Sequence, residues 1–403
     1  MNIAERKDPG GFGPLAGVRI LDLSRVVVGN VMTQTLADMG ADVIKIEPPE
    51  GDALRQWIVE GVAVQWKVYG RNKRSIVLDL KSEADRSVFA DLIGTAQILV
   101  ENFRPGVLDR LGFPTAKLHA LQPRLVIVRI SGWGQTGPYR DRPGFGTLVE
   151  AASGFAHKNG FPDSPPLLPN LPLADSVAGL HAASAALAAL RHVEASGGAG
   201  QEVDISLLEP LLSILGADQA VHRVTGKSPG RSGNRSSIAA PRNLYETADG
   251  KYVALASSTE AMTKRLFRAI GREDLSQDPR FAANEARLRN VEALDAIIGE
   301  FVRRRPLNEA LKFFAAAEIT AGPIYSGAEL LDDEHVRARG SVVEVDDDEA
   351  GSLPMHDVVP RFSLTPGRIA RPAPRLDEHA SELRAEAATA RSNKQEKGDA
   401  DVR

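Results

Sequence analysis

Short apolar runs alternate with amphipathic stretches along the first third of the chain. Val18–Leu23, Val43–Glu47, Ser75–Leu80, Ile98–Val100 and Leu125–Ile130 read as buried strands. Between them the spacing predicts helices from about Asn30 to Met39, from Ser82 to about Ile93, and from Gly106 to Leu111. Gly40 and Gly94 stop the first two, and Ser82 with Asp85 reads as a capping box. Each strand–helix–strand unit implies a parallel pair, because a short turn cannot return the chain in the same direction. The predicted class is α/β, with a doubly wound, Rossmann-like large domain.

The texture then changes. A glycine-rich loop covers Ser131 to Pro143, and a proline-rich stretch covers Pro165 to Pro172. An alanine-rich helix follows to about Glu194 and ends at Gly197-Gly198-Ala199-Gly200. Lys227 to Arg235 is polar and glycine-rich and reads as a linker. Beyond it, Leu244–Leu255 carries Asp249-Gly250 at the centre of a hairpin. Amphipathic helices are predicted at about 260–270, 291–303 and 307–317, with strands at Val342–Val345 and near Met355–Val359. The expected division is a large domain over residues 1–226 and a smaller α+β domain over 227–330. The tail, 385–403, is charged, poor in bulky apolar residues and expected to be disordered.

Bulk composition narrows the class. The 403 residues are 43% apolar, enough for two cores. A formal net charge of −4 provides no basic field for nucleic acid or an anionic membrane surface. With no cysteine, disulfides, thiolate metal sites and a cysteine nucleophile are excluded. Met1–Pro9 lacks the apolar core of a signal peptide. No apolar run looks long enough for a membrane span of roughly 18–20 residues. A cytoplasmic enzyme is the expectation.

Motifs first exclude chemistry. Ser24–Asn30, after the first strand, has no G-x-G-x-x-G, and Gly10-Gly11-Phe12-Gly13 precedes that strand, on the wrong side for a phosphate turn. Walker A, H-E-x-x-H and G-x-S-x-G are absent. Asp346-Asp347-Asp348 reads as a solvated acidic loop, so no metal site is expected.

One carboxylate remains of interest. Asp175, in Leu173-Ala174-Asp175-Ser176-Val177-Ala178-Gly179, sits where the extended loop gives way to the alanine-rich helix. An aspartate there is ordinarily an N-cap. The positive helix end should also keep it ionised, and an ionised carboxylate can attack an activated carbonyl.

Its company along the chain favours the second role. Pro14–Arg25, Leu36–Glu47, Asn72–Ser75 with Leu78–Lys81, Glu101–Gly106, Ser131–Tyr139, the Asp175 segment and Gly200–Leu207 occur in an order that resembles the family III (CaiB/BaiF type) CoA-transferases, over about residues 14–382. The resemblance implies that Asp175 is acylated by an acyl-CoA and then carries CoA itself as an aspartyl thioester. It implies CoA contacts at Arg25, Val26, Leu78, Lys81, Asn102, Phe103 and Arg110. It further implies that 331–384 returns to the large domain, and that two subunits interlock as a homodimer. The substrates would be CoA thioesters and a carboxylic acid, with no permanently bound cofactor.

Departures from the family pattern shape the substrate expectation. Pro48, Pro143 and Val27 stand where a relative acting on formyl-CoA and oxalate has basic or amide residues, which makes oxalate a poor guess. Leu376-Asp377-Glu378-His379 has aspartate where the family usually has glycine. Arg231, Arg235 and Arg242 flank the second domain, where one is a candidate to hold the distal carboxylate of a dicarboxylate such as succinate. Two alternatives stand beside transfer. An α-methylacyl-CoA racemase needs a Gly-His-Asp segment where this chain has Gly144-Phe145-Gly146, leaving only His157 nearby. A non-catalytic CoA-binding protein should lack the nucleophile.

Overall fold

The computed structural model describes residues 11–401, with side chains described through Glu396. Met1–Gly10, including the segment read for a signal peptide and the first glycine of the Gly10–Gly13 run, lie outside the described residues. The chain forms two compact units. One comprises the chain up to Gly154, Pro169–Gly216 and the chain from Arg339 onward; the other comprises Phe155–Leu168 and Ala217–Ala338.

The large unit begins β1 (Arg19–Asp22), α1 (Val28–Asp38), β2 (Asp42–Glu47), α2 (Val64–Tyr69), β3 (Lys73–Val77), α3 (Glu83–Ile93) and β4 (Ile98–Glu101). It continues with α4 (Val107–Arg110), α5 (Thr115–Leu121), β5 (Val126–Ser131) and α6 (Gly146–Ala152). After α7 (Phe155–Lys158), which clusters with the small unit, come α8 (Leu173–Ser196), β6 (Glu202–Ser206) and α9 (Leu208–Leu215).

The six strands form one parallel sheet in the order β3-β2-β1-β4-β5-β6. This is the doubly wound order, reached because right-handed crossovers run outward from β1 first one way and then the other. Alternate strand residues Leu21, Ile44, Ile76, Leu99 and Ile127 share one core with Phe89, Leu92, Phe113 and Leu118, so α3 and α5 cover that face. The other face carries α1 and α8. β6 escaped the apolar-run reading because it is a half-exposed edge; only the alternation of Val203 and Ile205 with polar neighbours marks it.

Alanine decides how α8 packs. Ala174, Ala178, Ala182, Ala183, Ala186 and Ala189 are buried, and α1 comes close enough that a Cβ on Gly179 would meet Val28 O at 2.6 Å. Contrary to the sequence reading, α8, of 24 residues, is long and apolar enough to cross a membrane by length and composition alone, with a mean hydropathy of 1.4 over an 18-residue window. Its buried positions are mostly small side chains, which let it pack against α1, β5 and β6.

The small unit holds α10 (Asp218–Thr225), the hairpin β7 (Arg242–Glu246) and β8 (Tyr252–Ala256), α11 (Glu260–Ala269), α12 (Asn284–Arg289), α13 (Val291–Arg303), α14 (Leu307–Ala316), β9 (Ala321–Pro323), α15 (Gly327–Asp332) and α16 (Glu334–Arg339). Its three-stranded antiparallel sheet packs Tyr245, Val253 and Leu255 against Leu266, Phe267, Ile298 and Phe314. Gly250 takes φ 72° at the hairpin turn, as the Asp-Gly pair predicts.

The unit starts at Ala217 and ends at Ala338, and it takes in Phe155–Leu168, unlike the boundaries at 227 and 330 read from composition. The stretch read as a linker is packed: Gly233 N donates to Gly160 O at 2.9 Å, and Arg231 Nε to Phe161 O at 3.1 Å.

Beyond Arg339, β10 (Val342–Asp347) pairs antiparallel with β11 (Gly351–His356), and the chain ends in α17 (Ala380–Asp401). Among the described residues, the tail expected to be disordered is a helix as far as Asp401. Leu383 and Ala387, one turn apart, are buried in the core beside α3, and Arg74 bonds both Glu382 and Glu386. Burying Leu383 alone contributes on the order of 2 kcal/mol, and two small apolar positions in a charged segment suffice to dock it. Asp377 takes φ 62°, a conformation suited to glycine; aspartate tolerates it, and its Oδ1 accepts from Val77 N at 2.6 Å. The predicted Ser82 capping box does not form. Asp85 instead accepts from Asp79 N at 3.0 Å and pairs with Arg384.

Candidate active site

In this strand order the chain reverses direction across the sheet between β1 and β4, and ligands bind outside the carboxyl ends of strands at such a point. A cavity of about 420 Å³ lies there, lined among others by Arg25, Pro48, Leu78, Lys81, Phe103 and Val107. Arg25, Leu78, Lys81 and Phe103, all predicted contacts, are thus brought together from the ends of β1, β3 and β4. The Arg25 guanidinium lies 5.3 Å from the Phe103 ring centroid, so cation and aromatic face form one wall.

Val26, Asn102 and Arg110 are not in that lining. Arg110 is exposed at the end of α4. Asn102 does something the sequence did not foretell. Its Oδ1 accepts from Arg25 N and its Nδ2 donates to Arg25 O, both at 2.8 Å. It clasps the backbone of the β1–α1 turn to the β4–α4 turn. The next residue is held too, since Phe103 N donates to Glu101 Oε2 at 2.7 Å. Burial pushes the Glu101 carboxyl up to about 7, against the lowering influence of that N–H and of Arg129.

Val26 has φ 62°, which for a β-branched residue stores on the order of 1–3 kcal/mol of strain. A buried polar network lies behind it. Val26 N donates to Asp52 Oδ1 at 3.0 Å, and Asn30 Nδ2 donates to Val26 O at 2.6 Å and to Asp52 Oδ2 at 2.8 Å. Lys45 pairs with Asp52 at 3.0 Å and with Asp22 at 3.4 Å; Lys73 pairs with Asp22 at 3.2 Å. Burial would raise the Asp22 carboxyl, but Lys45 and Lys73 overcome it and hold it at about 2. Lys73 is depressed to about 8, chiefly by burial.

Asp175 lies in the first turn of α8 and is not its N-cap; the cap position is Pro172, and no side chain caps there. Glu150 of α6 serves the helix end instead, its Oε1 accepting from Ala174 N at 3.0 Å. Gly146, one turn earlier on α6, faces the Asp175 carboxylate so closely that a Cβ would sit 2.3 Å from Oδ2. No cation pairs with Asp175 among the described residues. Burial, then the Glu150 charge, push its carboxyl up to about 6, which overrides the helix end that should have kept it low. Its charge, after burial, raises the Tyr69 phenol. Tyr69 packs in the cluster containing Val26, Val27 and Val31, so the strained turn and the carboxylate share neighbours. Gly146, Glu150 and Tyr69 carry no motif that marks them in the sequence.

A parallel sheet in this order, a crevice over its switch point and a half-buried carboxylate with no cation beside it among the described residues define a doubly wound α/β protein with a candidate ligand site. The chain belongs to CoA-transferase family III, whose model matches residues 15–380. It is an enzyme of that family, and CoA-transferases act on CoA thioesters. It is 38% identical to a succinyl-CoA–D-citramalate CoA-transferase of Chloroflexus aurantiacus over 92% of this chain and 93% of that one. It is 35% identical to a succinate–glutarate CoA-transferase of Agrobacterium fabrum, covering 93% and 96%. A CaiB/BaiF family protein from Brucella suis superposes with a TM-score of 0.82 at 33% identity, covering 93% of this chain and 100% of that chain.

Proposed function

We propose that Asp175 is the nucleophile of CoA transfer from succinyl-CoA to a second dicarboxylic acid. The observation that carries this reading is the half-buried Asp175 carboxylate, unpaired by any cation among the described residues and raised toward neutrality. Its Oδ attacks the acyl carbon, the C–S bond breaks, and an enzyme–acid anhydride forms with CoA thiolate released. The thiolate attacks the aspartyl carbonyl, expels the donor acid and leaves an aspartyl-CoA thioester. The acceptor carboxylate attacks that thioester and expels the CoA thiolate, forming a second anhydride; the thiolate then attacks the acceptor's acyl carbon, giving the new acyl-CoA and freeing the Asp175 carboxylate. A thioester is activated and a thiolate leaves readily, so no general base is required. Acid quench during turnover should leave an acyl or CoA mass on the peptide containing Asp175; absence of any adduct there removes the reading.

Because only the carboxylate attacks, activity should fall tenfold per pH unit below about 6, where an ordinary aspartate would hold it down to about 4. The acid limb of kcat/KM against pH checks this.

Relatives named for succinyl-CoA with D-citramalate or L-malate, and for succinate with glutarate, support a dicarboxylate at both ends of the exchange. Of the candidate arginines, Arg235 is neutralised by Asp295 at 2.8 Å. Arg231 is held by carbonyls, at 3.1 Å from Phe161 O and 3.2 Å from His157 O, which orient the guanidinium and leave its charge.

Racemisation is disfavoured. Phe145 and Gly146 stand where the racemase segment has His and Asp, a Cβ on Gly146 would sit 2.3 Å from Asp175 Oδ2, and His157 is an exposed residue of α7. Phe145, Leu148, Leu171 and Leu180 are exposed on or beside the helices that carry the site, which supports a homodimer covering them; a monomer by sedimentation would remove that. A cytoplasmic setting rests on the absence of cysteine, and secretion of the protein by its host would oppose it.

A further inference from the structure

We propose that Asp52, together with Asn30, is a positioning residue that clamps the β1–α1 turn in a strained shape at Val26 and thereby aims Arg25 at CoA. This rests on the crevice being the CoA site. Both main-chain polar groups of Arg25 are bound by Asn102, and both of Val26 are bound by Asp52 and Asn30. Among the described non-glycine residues with positive φ, Val26 alone is β-branched. Left to itself, such a residue relaxes to negative φ, swinging its own side chain and that of Arg25 away. Asp52 is well placed to prevent this. It is 1% exposed, and Lys45 and Leu54 N hold it, at 3.0 Å and 2.9 Å. Asn30 is buried beside it, its Oδ1 accepting from Lys73 at 2.7 Å. An acid whose only task was to neutralise Lys45 would need no bond to Val26.

The strain makes the clamp separable from general stability, because glycine adopts φ 62° without a Cβ penalty. CoA affinity is measured by calorimetry on the full chain for Asp52→Asn, alone and in the Val26→Gly background. Asp52→Asn should weaken CoA binding about tenfold when Val26 is present. The same substitution should cost about threefold or less in the glycine background. Equal losses in both backgrounds, or no loss with Val26 present, overturn the clamp. If Asp52→Asn does not fold, Asn30→Ala takes its place with the same two outcomes. Arg25→Ala is the control. If it leaves CoA affinity unchanged, the crevice is not the CoA site and the clamp falls with it. If it weakens binding while Asp52→Asn does not, the clamp alone falls.

Discussion

Replacing Asp175 with alanine should abolish CoA exchange, by about 10³-fold or more, while CoA affinity holds within a few-fold. The loss is expected to be nearly complete because the neighbouring acid, Glu150, is committed to the Ala174 N–H at the start of α8. A second readout separates chemistry from folding. The folded protein holds the Asp175 proton more tightly than the unfolded chain does, about 6 against an ordinary 3.8. Any stability from that raised carboxyl is present below 3.8 and lost as pH rises through 6, so at neutral pH the charged side chain destabilises the fold. Asp175→Asn, which removes the charge and keeps the shape, should therefore inactivate the enzyme and stabilise it at pH 7, on the order of 1–3 kcal/mol. The gain should shrink as pH falls from 6 toward 3.8. Inactivation with a lower melting temperature at neutral pH would mean the carboxylate is structural.

Gly146→Ala is expected to cost about 10²-fold in kcat without touching any charged group. The new Cβ would start 2.3 Å from Asp175 Oδ2, so the carboxylate must shift by about 1 Å to relieve the overlap. Attack on a carbonyl tolerates little such displacement, because the reacting atoms need to meet at about 3–3.5 Å in a narrow range of angles. Binding in the crevice at the ends of β1, β3 and β4 should be unaffected, so Kd for CoA by calorimetry stays constant while kcat falls. An unchanged kcat would show that the close approach of α6 to Asp175 is not what aims the carboxylate.

Much of the architecture was legible in the pattern of residues, and the site only in part. The strands β1, β2, β4 and β5 announce themselves because strands buried on both faces carry short apolar runs, a local property of the chain; β3 begins at Lys73, two residues before the apolar run read as Ser75–Leu80, because its first residues are buried charges. The hairpin β7–β8 is equally local, marked by Asp249-Gly250. The half-exposed edge β6 has a weaker signature, and the docking of α17 depends on the few apolar positions that face α3. Arg25, Leu78, Lys81 and Phe103 were found by resemblance and do meet in one cavity. Asn102, chosen with them, instead holds the Arg25 backbone.

The sequence by itself determined the α/β class, the order of the segments, the family and the identity of the aspartate at the head of α8. Only the tertiary structure decided what surrounds that aspartate. Glu150 reaches the start of α8 from 24 positions before Ala174, and Asp52 reaches Val26 across 26. A carboxyl group's acidity depends on which charges and how much water surround it, and those are set by whatever the fold brings near. Hydrophobic periodicity is written along the chain; the electrostatics of a buried group are written across it.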